Sequence, residues 1–352
     1  MIIGNRRITK DGEPYFIADI ASNHDGNIER AFKLIELAKE AGADAAKFQN
    51  FKADWIVSKN GFESMKKMTH QSAWKKSVYE TYKDASISDE WTYRLKEKCD
   101  EVGIEYMTSP YDFTAVDLAE KYVNAYKIGS GDITWTDIIE YMAKKNKPLL
   151  LATGASDLSD VDRAVQVIEK YADEYVLMQC NTNYTANEEN FKYVNLNVLN
   201  LYKDRYPKSI LGLSDHTPGN VTVLGAMALG ARVFEKHFTD DNDRIGPDHK
   251  FSMNPKTWKE MVQVANELYL ALGDGIKRIE ENEKESVIVQ QRAFYFTHDI
   301  KAGQKLEEQD VFPLRPLKEN CVHPYEIENI IGKVLLNDVK KDECLTWEMI
   351  KR

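Results

Sequence analysis

Two lysines and two histidines, each at the end of a short apolar run, are the residues of this 352-residue chain best placed to do chemistry. Lys47 closes A-A-K and Lys127 closes A-Y-K. An ammonium at such a place is headed for burial, and burial is unfavourable unless an anion meets it. With the hydroxyls of Thr108, Ser109 and Ser130 at other strand ends, the pair could hold a small molecule bearing phosphate and carboxylate. Internal salt bridges to Asp19 and Asp132 would explain the same lysines without a ligand. His216 and His237 follow the last two apolar runs. Imidazoles at neighbouring strand ends can share one divalent ion and leave positions open for substrate oxygen and water, or can hydrogen-bond within a core. No local motif such as H-E-x-x-H names a metal. His24 could join such a site, whereas His70, His249, His298 and His323 read as surface or loop residues. There is no G-x-S-x-G elbow, and Cys180 reads equally as a small buried hydrophobe or a thiol.

The elements that must position these residues alternate regularly. Strands are expected at 15–20, 45–48, 106–108, 125–127, 148–152, 175–179, 210–214 and 233–236. Amphipathic helices separate them, the first capped by Asn27 with Ala31, Leu34, Ile35, Leu37 and Ala38 on one face. A long polar excursion, 54–86, precedes the helix at 89–102; its aromatics and their neighbour Trp91 (Trp74, Tyr79, Tyr82, Trp91) read as packing. Eight strands in alternation with helices predict a closed parallel α/β barrel of the TIM (β/α)8 type, whose chemistry collects at the C-terminal strand ends. No G-x-G-x-x-G follows the first strand, which counts against an open nucleotide-binding sheet. Polar residues do follow nearly every strand here. After Gly273 the texture changes: an acidic stretch, 279–286, reads as a linker or exposed turn. Short strand-like runs then follow at 293–297, 299–303, 311–315 and 330–336, predicting a small β-rich module. The expected division is a barrel at 1–275, a linker at 276–290 and the module at 291–352.

Lys and Arg total 47 against 57 Asp and Glu, a net charge of −10, with 43% hydrophobic residues. That excludes disorder and disfavours nucleic-acid binding, without excluding a local basic pocket. No apolar run approaches a membrane span and no signal peptide is evident, so a cytoplasmic protein is expected. Cys99, Cys180, Cys321 and Cys344 are far apart and suggest neither a disulfide framework nor a zinc knuckle, so a reduced chain is expected.

The strand-end segments I-A-D-I-A-S-N-H-D-G (17–26), A-A-K-F-Q (45–49), A-Y-K-I-G-S-G-D (125–132), G-L-S-D-H-T (212–217), K-H-F-T-D (236–240) and G-P-D-H (246–249) resemble, in order, those of the sialic acid synthase family. In the tail, D-I-K-A-G (299–303), L-R-P (314–316) and I-G-K-V-L (331–335) resemble the antifreeze-like SAF domain, a β-clip module, of the same enzymes. The resemblance implies a transferase that condenses phosphoenolpyruvate with an N-acylated amino-sugar, N-acetylmannosamine or a bacterial diamino relative, to a nonulosonic acid with release of phosphate. It implies that Lys47, Gln49, Ser109, Lys127, Ser130 and Ser214 bind phosphoenolpyruvate. His216 and His237 would hold Mn2+, with Mg2+ and Co2+ as alternatives, and Asp19 would act as the catalytic carboxylate. Asp132, Tyr184, Asp248 and Arg315 would meet the acceptor, Arg315 from the other subunit of a domain-swapped homodimer.

The chain departs from the resembled pattern at Asp19 and Asp132, where glutamate is usual; each change shortens the carboxylate by roughly 1.5 Å. Thr182 stands where Asn or Ser is expected, and L-R-P-L-K-E-N lacks the usual glycines. Since these departures are expected on the acceptor side, the donor chemistry is expected to be retained and the sugar to differ from N-acetylmannosamine. Two other readings remain: an ulosonate synthase acting on a phosphorylated aldose, which would lack the C-terminal module, and a non-catalytic carbohydrate-binding barrel.

Overall fold

The computed structural model describes residues 1–65, 71, 74–185 and 187–351. His70, expected at the surface or in a loop, lies outside the described residues. The chain divides into two compact units, Met1–Gly273 and Asp274–Arg352. In the first, eight parallel strands close into a barrel: β1 (Tyr15–Asp19), β2 (Ala45–Asn50), β3 (Glu105–Pro110), β4 (Tyr126–Ile128), β5 (Leu149–Ala152), β6 (Tyr175–Cys180), β7 (Ser209–Asp215) and β8 (Val233–His237), which pairs back onto β1. Every expected barrel strand is present, with ends displaced by no more than two residues. Asn27 caps the first helix, Ile28–Glu40, by accepting from the amides of Glu29 and Arg30, and that helix buries Ala31, Leu34, Ile35 and Ala38.

Alternation along each strand divides the side chains between two cores. Outward residues such as Phe16, Phe48, Tyr106, Leu151, Leu177, Leu213 and Phe234 pack under the helices. Inward residues fill the barrel with Tyr15, Ile17, Ala45, Met107, Leu150, Val176, Met178, Ile210 and Val233. Continuing the same inward sets toward the C-terminal ends gives Asp19, Lys47, Gln49, Ser109, Lys127, Ser214, Glu235 and His237. The plug is thus apolar below and charged at the mouth. Thr108 falls on the other face. Its hydroxyl bonds the Phe48 carbonyl (3.1 Å) and Asn50 (2.6 Å), so the expectation that it joins the anion site is corrected by the two-residue period.

The excursion after β2 is partly helical, with helices at Ala53–Ile56, Lys59–Glu63 and Val78–Ala85. In the second unit β9 (Ala293–Phe296) pairs antiparallel with β10 (Val311–Leu314). Its core is Phe294, Phe296, Ile300, Leu306, Val311, Val322, Ile330, Leu335, Val339, Leu345 and Ile350. The run at 330–336 is not a strand: Ile330 ends a short helix, Gly332 turns the chain at φ 81°, and only Val334 and Leu335 make bridge pairs. The acidic stretch contains a 3-10 turn, Glu281–Glu283, leading into an exposed helix, Lys284–Gln290. The expectation of unpaired cysteines is also corrected. Cys321 and Cys344 form a disulfide with a Cα–Cα separation of 6.1 Å, brought together by the bridge pairings Cys321–Thr346 and Tyr295–Cys344 rather than by sequence spacing. Among the described residues, no helix is long and apolar enough to cross a membrane.

Gly212 faces the barrel interior, where an added Cβ would lie 2.9 Å from both the Met178 side chain and the Val233 carbonyl oxygen. The carbonyl belongs to a barrel strand and cannot move aside. Gly212→Ala should therefore lower the unfolding free energy by about 1–3 kcal/mol, read as a lower midpoint in chemical denaturation at unchanged slope.

Candidate active site

The strand register sets the site. His237 is paired with Asp19 across β8 and β1, and Asp19 with Lys47 across β1 and β2, so the three side chains stand side by side in one layer. Lys47 Nζ donates to Asp19 Oδ2 at 2.6 Å, and His237 Nε2 lies 3.7 Å from the same oxygen. Opposite, Glu235 is paired with Ser214, whose hydroxyl donates to Glu235 Oε1 at 3.0 Å. Lys127 Nζ approaches Glu235 at 3.3 Å and Lys47 approaches it at 3.8 Å. All four charged groups are buried. Burial works against the Lys47 ammonium, but Asp19 and Glu235 outweigh it and hold its pKa above the ordinary lysine value. Burial likewise opposes the Glu235 carboxylate. Lys127, Lys47 and the Ser214 hydroxyl nevertheless keep it well below the usual carboxylate range.

These groups form the floor of a cavity of about 440 Å³, lined also by Gln49, Ser109, Ser130, Asp132, Tyr184, His216, His237 and Asp248. Every barrel residue that the resemblance assigns to the site therefore borders one cavity. Arg315 belongs to the second unit, where it is exposed just after β10. The salt-bridge alternative holds in part: Lys47 pairs with Asp19, whereas Lys127 pairs with Glu235 rather than Asp132. Asp19 thus meets Lys47 and not the acceptor side alone, where its departure from the resembled pattern had placed it. Ser109 Oγ and Glu235 Oε2 are buried without a hydrogen-bond partner, two polar atoms bordering the cavity that a ligand or water can satisfy. Burial raises the Asp132 carboxyl to about 6, against the lowering influence of Lys127.

The imidazoles of His216 and His237 are 5.3 Å apart between ring centroids. His216 Nδ1 is 2.9 Å from the Asn181 carbonyl oxygen, which puts the proton on Nδ1 and leaves Nε2 with its lone pair. His237 Nδ1 is buried with no hydrogen-bond partner, and Asp248 Oδ2 stands 3.9 Å from it. Tyr184 and Phe251 pack edge-on against both rings. Among the described residues no three His, Cys, Asp or Glu side chains close into a metal cage. The donor set is instead two imidazoles with carboxylates close by, a combination that fits a divalent ion in an open site completed by substrate oxygens or water.

The profile of the NeuB family matches residues 34–277, and that of the SAF domain matches residues 291–351. The chain belongs to the NeuB family. It is 34% identical over 343 residues to the N,N'-diacetyllegionaminic acid synthase of Legionella pneumophila, covering 96% of this chain and 94% of that one. The crystal structure of the Bacillus subtilis spore coat polysaccharide biosynthesis protein SpsE is 29% identical with a TM-score of 0.66, covering 100% of this chain and 99% of that one. That of the Leptospira borgpetersenii N-acetylneuraminic acid synthetase is 26% identical with a TM-score of 0.71, covering 82% and 94%.

Within this NeuB-family barrel the sequence reading missed several cavity residues. Glu235 could have been found by stepping back two residues from His237 along an inward-facing strand. Trp74 and Tyr82, taken for packing, line the cavity, Tyr82 also packing on Phe51 at 5.5 Å. No local signal marks them, because they reach the site from the excursion between β2 and β3. Tyr79 instead donates to Asp54 (2.6 Å), and Trp91 packs on His24. His24 does not join the site. Its Nδ1 accepts from the Gly26 amide, and burial lowers its pKa to about 4, so it stays neutral. His249, expected at the surface or in a loop, lies in the loop after β8 but is fully buried there. His298 is exposed, and His323 stacks on Tyr325.

Glu235→Ala leaves two ammoniums with one carboxylate between them. It should lower the unfolding free energy by about 3–5 kcal/mol, and Glu235→Ala combined with Lys127→Met should recover part of that loss in the same denaturation assay.

Proposed function

We propose that this protein is a synthase that joins phosphoenolpyruvate to an N-acylated amino-sugar, releasing phosphate and forming a nonulosonic acid, and that its acceptor carries two acylamino groups. The observation that carries the reading is the single cavity bordered by Lys47, Lys127, His216 and His237. Likeness to the Legionella protein named for N,N'-diacetyllegionaminic acid supports the choice of acceptor. Likeness to the Leptospira sialic acid synthetase supports the reaction class. The internal salt bridges of Lys47 and Lys127 alone would suit an inert scaffold, but they leave the polar cavity and the two imidazoles beside them unexplained.

In this reaction the methylene carbon of phosphoenolpyruvate bonds to the acceptor's carbonyl carbon, water adds at C2, and the C2–O bond to phosphate breaks. Lys47 and Lys127 hold the phosphate and carboxylate of the donor, helped by Ser109, Ser130, Ser214 and Gln49. Asp19, bonded to Lys47 and beside His237, takes the proton of the water that adds at C2. His216 and His237 would hold a divalent ion, Mn2+ foremost, which when bound polarises the acceptor carbonyl as a Lewis acid. Asp132, Tyr184 and Asp248 meet the sugar from the walls. Arg315 does so from the second subunit of a domain-swapped homodimer, and the reaction takes place in the cytoplasm.

The test is phosphate release with Mn2+ and a panel of sugars, with the product identified by mass. Turnover is expected with di-N-acetylated amino-sugars well above N-acetylmannosamine, and Lys47→Ala or Lys127→Ala should lower kcat/KM for phosphoenolpyruvate by about a hundredfold. N-acetylmannosamine as the best substrate would overturn the choice of sugar, and preference for a phosphorylated aldose would overturn the reaction.

The raised carboxyl of Asp132 gives a pH signature. Deprotonated, it accepts from a sugar hydroxyl; protonated, it loses that role. The acceptor KM should therefore fall as pH rises through about 6, and Asp132→Asn should give a KM that is flat across that range.

A further inference from the structure

The loop after β8 is built around a histidine. The Met253 amide donates to the His237 carbonyl at 2.8 Å and the Thr239 amide to the Met253 carbonyl at 2.9 Å, so the segment 238–253 leaves and returns at one point. His249 is fully buried within it. Its Nε2 is 3.0 Å from Asp25 Oδ1 and its Nδ1 is 2.7 Å from the Thr239 hydroxyl. A carboxylate only accepts, so Nε2 carries the proton and Nδ1 accepts from Thr239. Asp25 comes from the loop after β1, and Arg30 backs it at 3.1 Å, so the imidazole ties together the two loops that flank the closing strand pair of the barrel. Gly246 is fitted to this ring: a Cβ there would lie 2.6 Å from His249 Cδ2 and 2.9 Å from its Nε2.

The neighbour of His249 in sequence is Asp248, which enters the cavity. Asp248 Oδ2 accepts from the Ser22 hydroxyl at 2.5 Å, a second link between the same two loops. The two links are adjacent, and the buried one has no ligand to meet.

We propose that His249 is a positioning residue: by spanning Thr239 and Asp25 it sets where Asp248 presents itself to the amino-sugar. This rests on the reading of Asp248 as an acceptor contact. His249→Phe keeps a ring of similar volume and removes both bonds. The acceptor KM should rise roughly 10- to 100-fold while the KM for phosphoenolpyruvate is unchanged. Amide exchange across 238–253 should accelerate. In an Asp248→Ala background the same substitution should add nothing to the acceptor KM, because its effect passes through Asp248. Gly246→Ala, which crowds the ring without removing it, should reproduce the pattern in milder form and covers the case in which His249→Phe fails to fold. Equal loss in both KM values, additivity with Asp248→Ala, or an unchanged acceptor KM would overturn the proposal. Absence of wild-type turnover with every amino-sugar would overturn the functional reading instead, and loop exchange would still decide the anchoring.

Discussion

Four charges buried in the uppermost layer of the barrel have to neutralise one another. Lys47 and Lys127 are each held by a carboxylate, Asp19 and Glu235, and none of the four reaches solvent freely. Moving any one of them from water is unfavourable by several kcal/mol, so the quartet persists only with its partners in place. The quartet is also electrically neutral. Under the proposed reaction an anion as highly charged as phosphoenolpyruvate has to share the two ammoniums with Asp19 and Glu235, and the imidazole pair beside them is where additional positive charge would enter. Lysines and histidines are therefore one electrostatic unit, although 80 residues and more separate them in the chain.

Strand geometry accounts for how so polar a layer sits on so apolar a plug. Inward positions recur every second residue, so one strand can carry Ile17 into the core and Asp19 to the mouth, and another Val233, Glu235 and His237 in succession. The same alternation sends Lys236 outward, where it pairs with Asp215 and the Thr217 carbonyl and takes no part in the cavity. Lysines near the ends of strands in one barrel thus have unrelated fates, decided by parity alone.

Parity also explains which parts could be read in the sequence. The barrel and its strand limits were legible because apolar runs and helical periodicity repeat eight times, and the residues at strand ends followed from them. Thr108 was misjudged and Glu235 overlooked for one reason: strand ends were read as segments, without asking which side each residue faces. Other features lie beyond local pattern. Trp74 and Tyr82 arrive from a long excursion, His249 is buried by a loop folding around it, and Cys321 meets Cys344 only through pairing in the second unit. Each depends on where distant segments come to rest, which spacing alone does not encode.

The cavity consequently has two kinds of wall. Its floor is made of strand residues locked by register, so a change there disturbs charge balance and barrel closure together. Its sides are made of residues from the connections that follow the strands: Asp132, Thr182, Tyr184, Asp248, and Trp74 and Tyr82, the last on the helix Val78–Ala85. Loops tolerate substitution that strands do not. Under the proposed reaction, the floor handles the donor and the sides handle the sugar, so acceptor choice can drift without disturbing the donor site. Asp19 tests this division, since it belongs to the floor yet stands where the resembled pattern has glutamate. Its bonds to Lys47 and to the Ala21 amide show that the shorter carboxylate is still fully engaged, which makes a change at this position compatible with an intact floor.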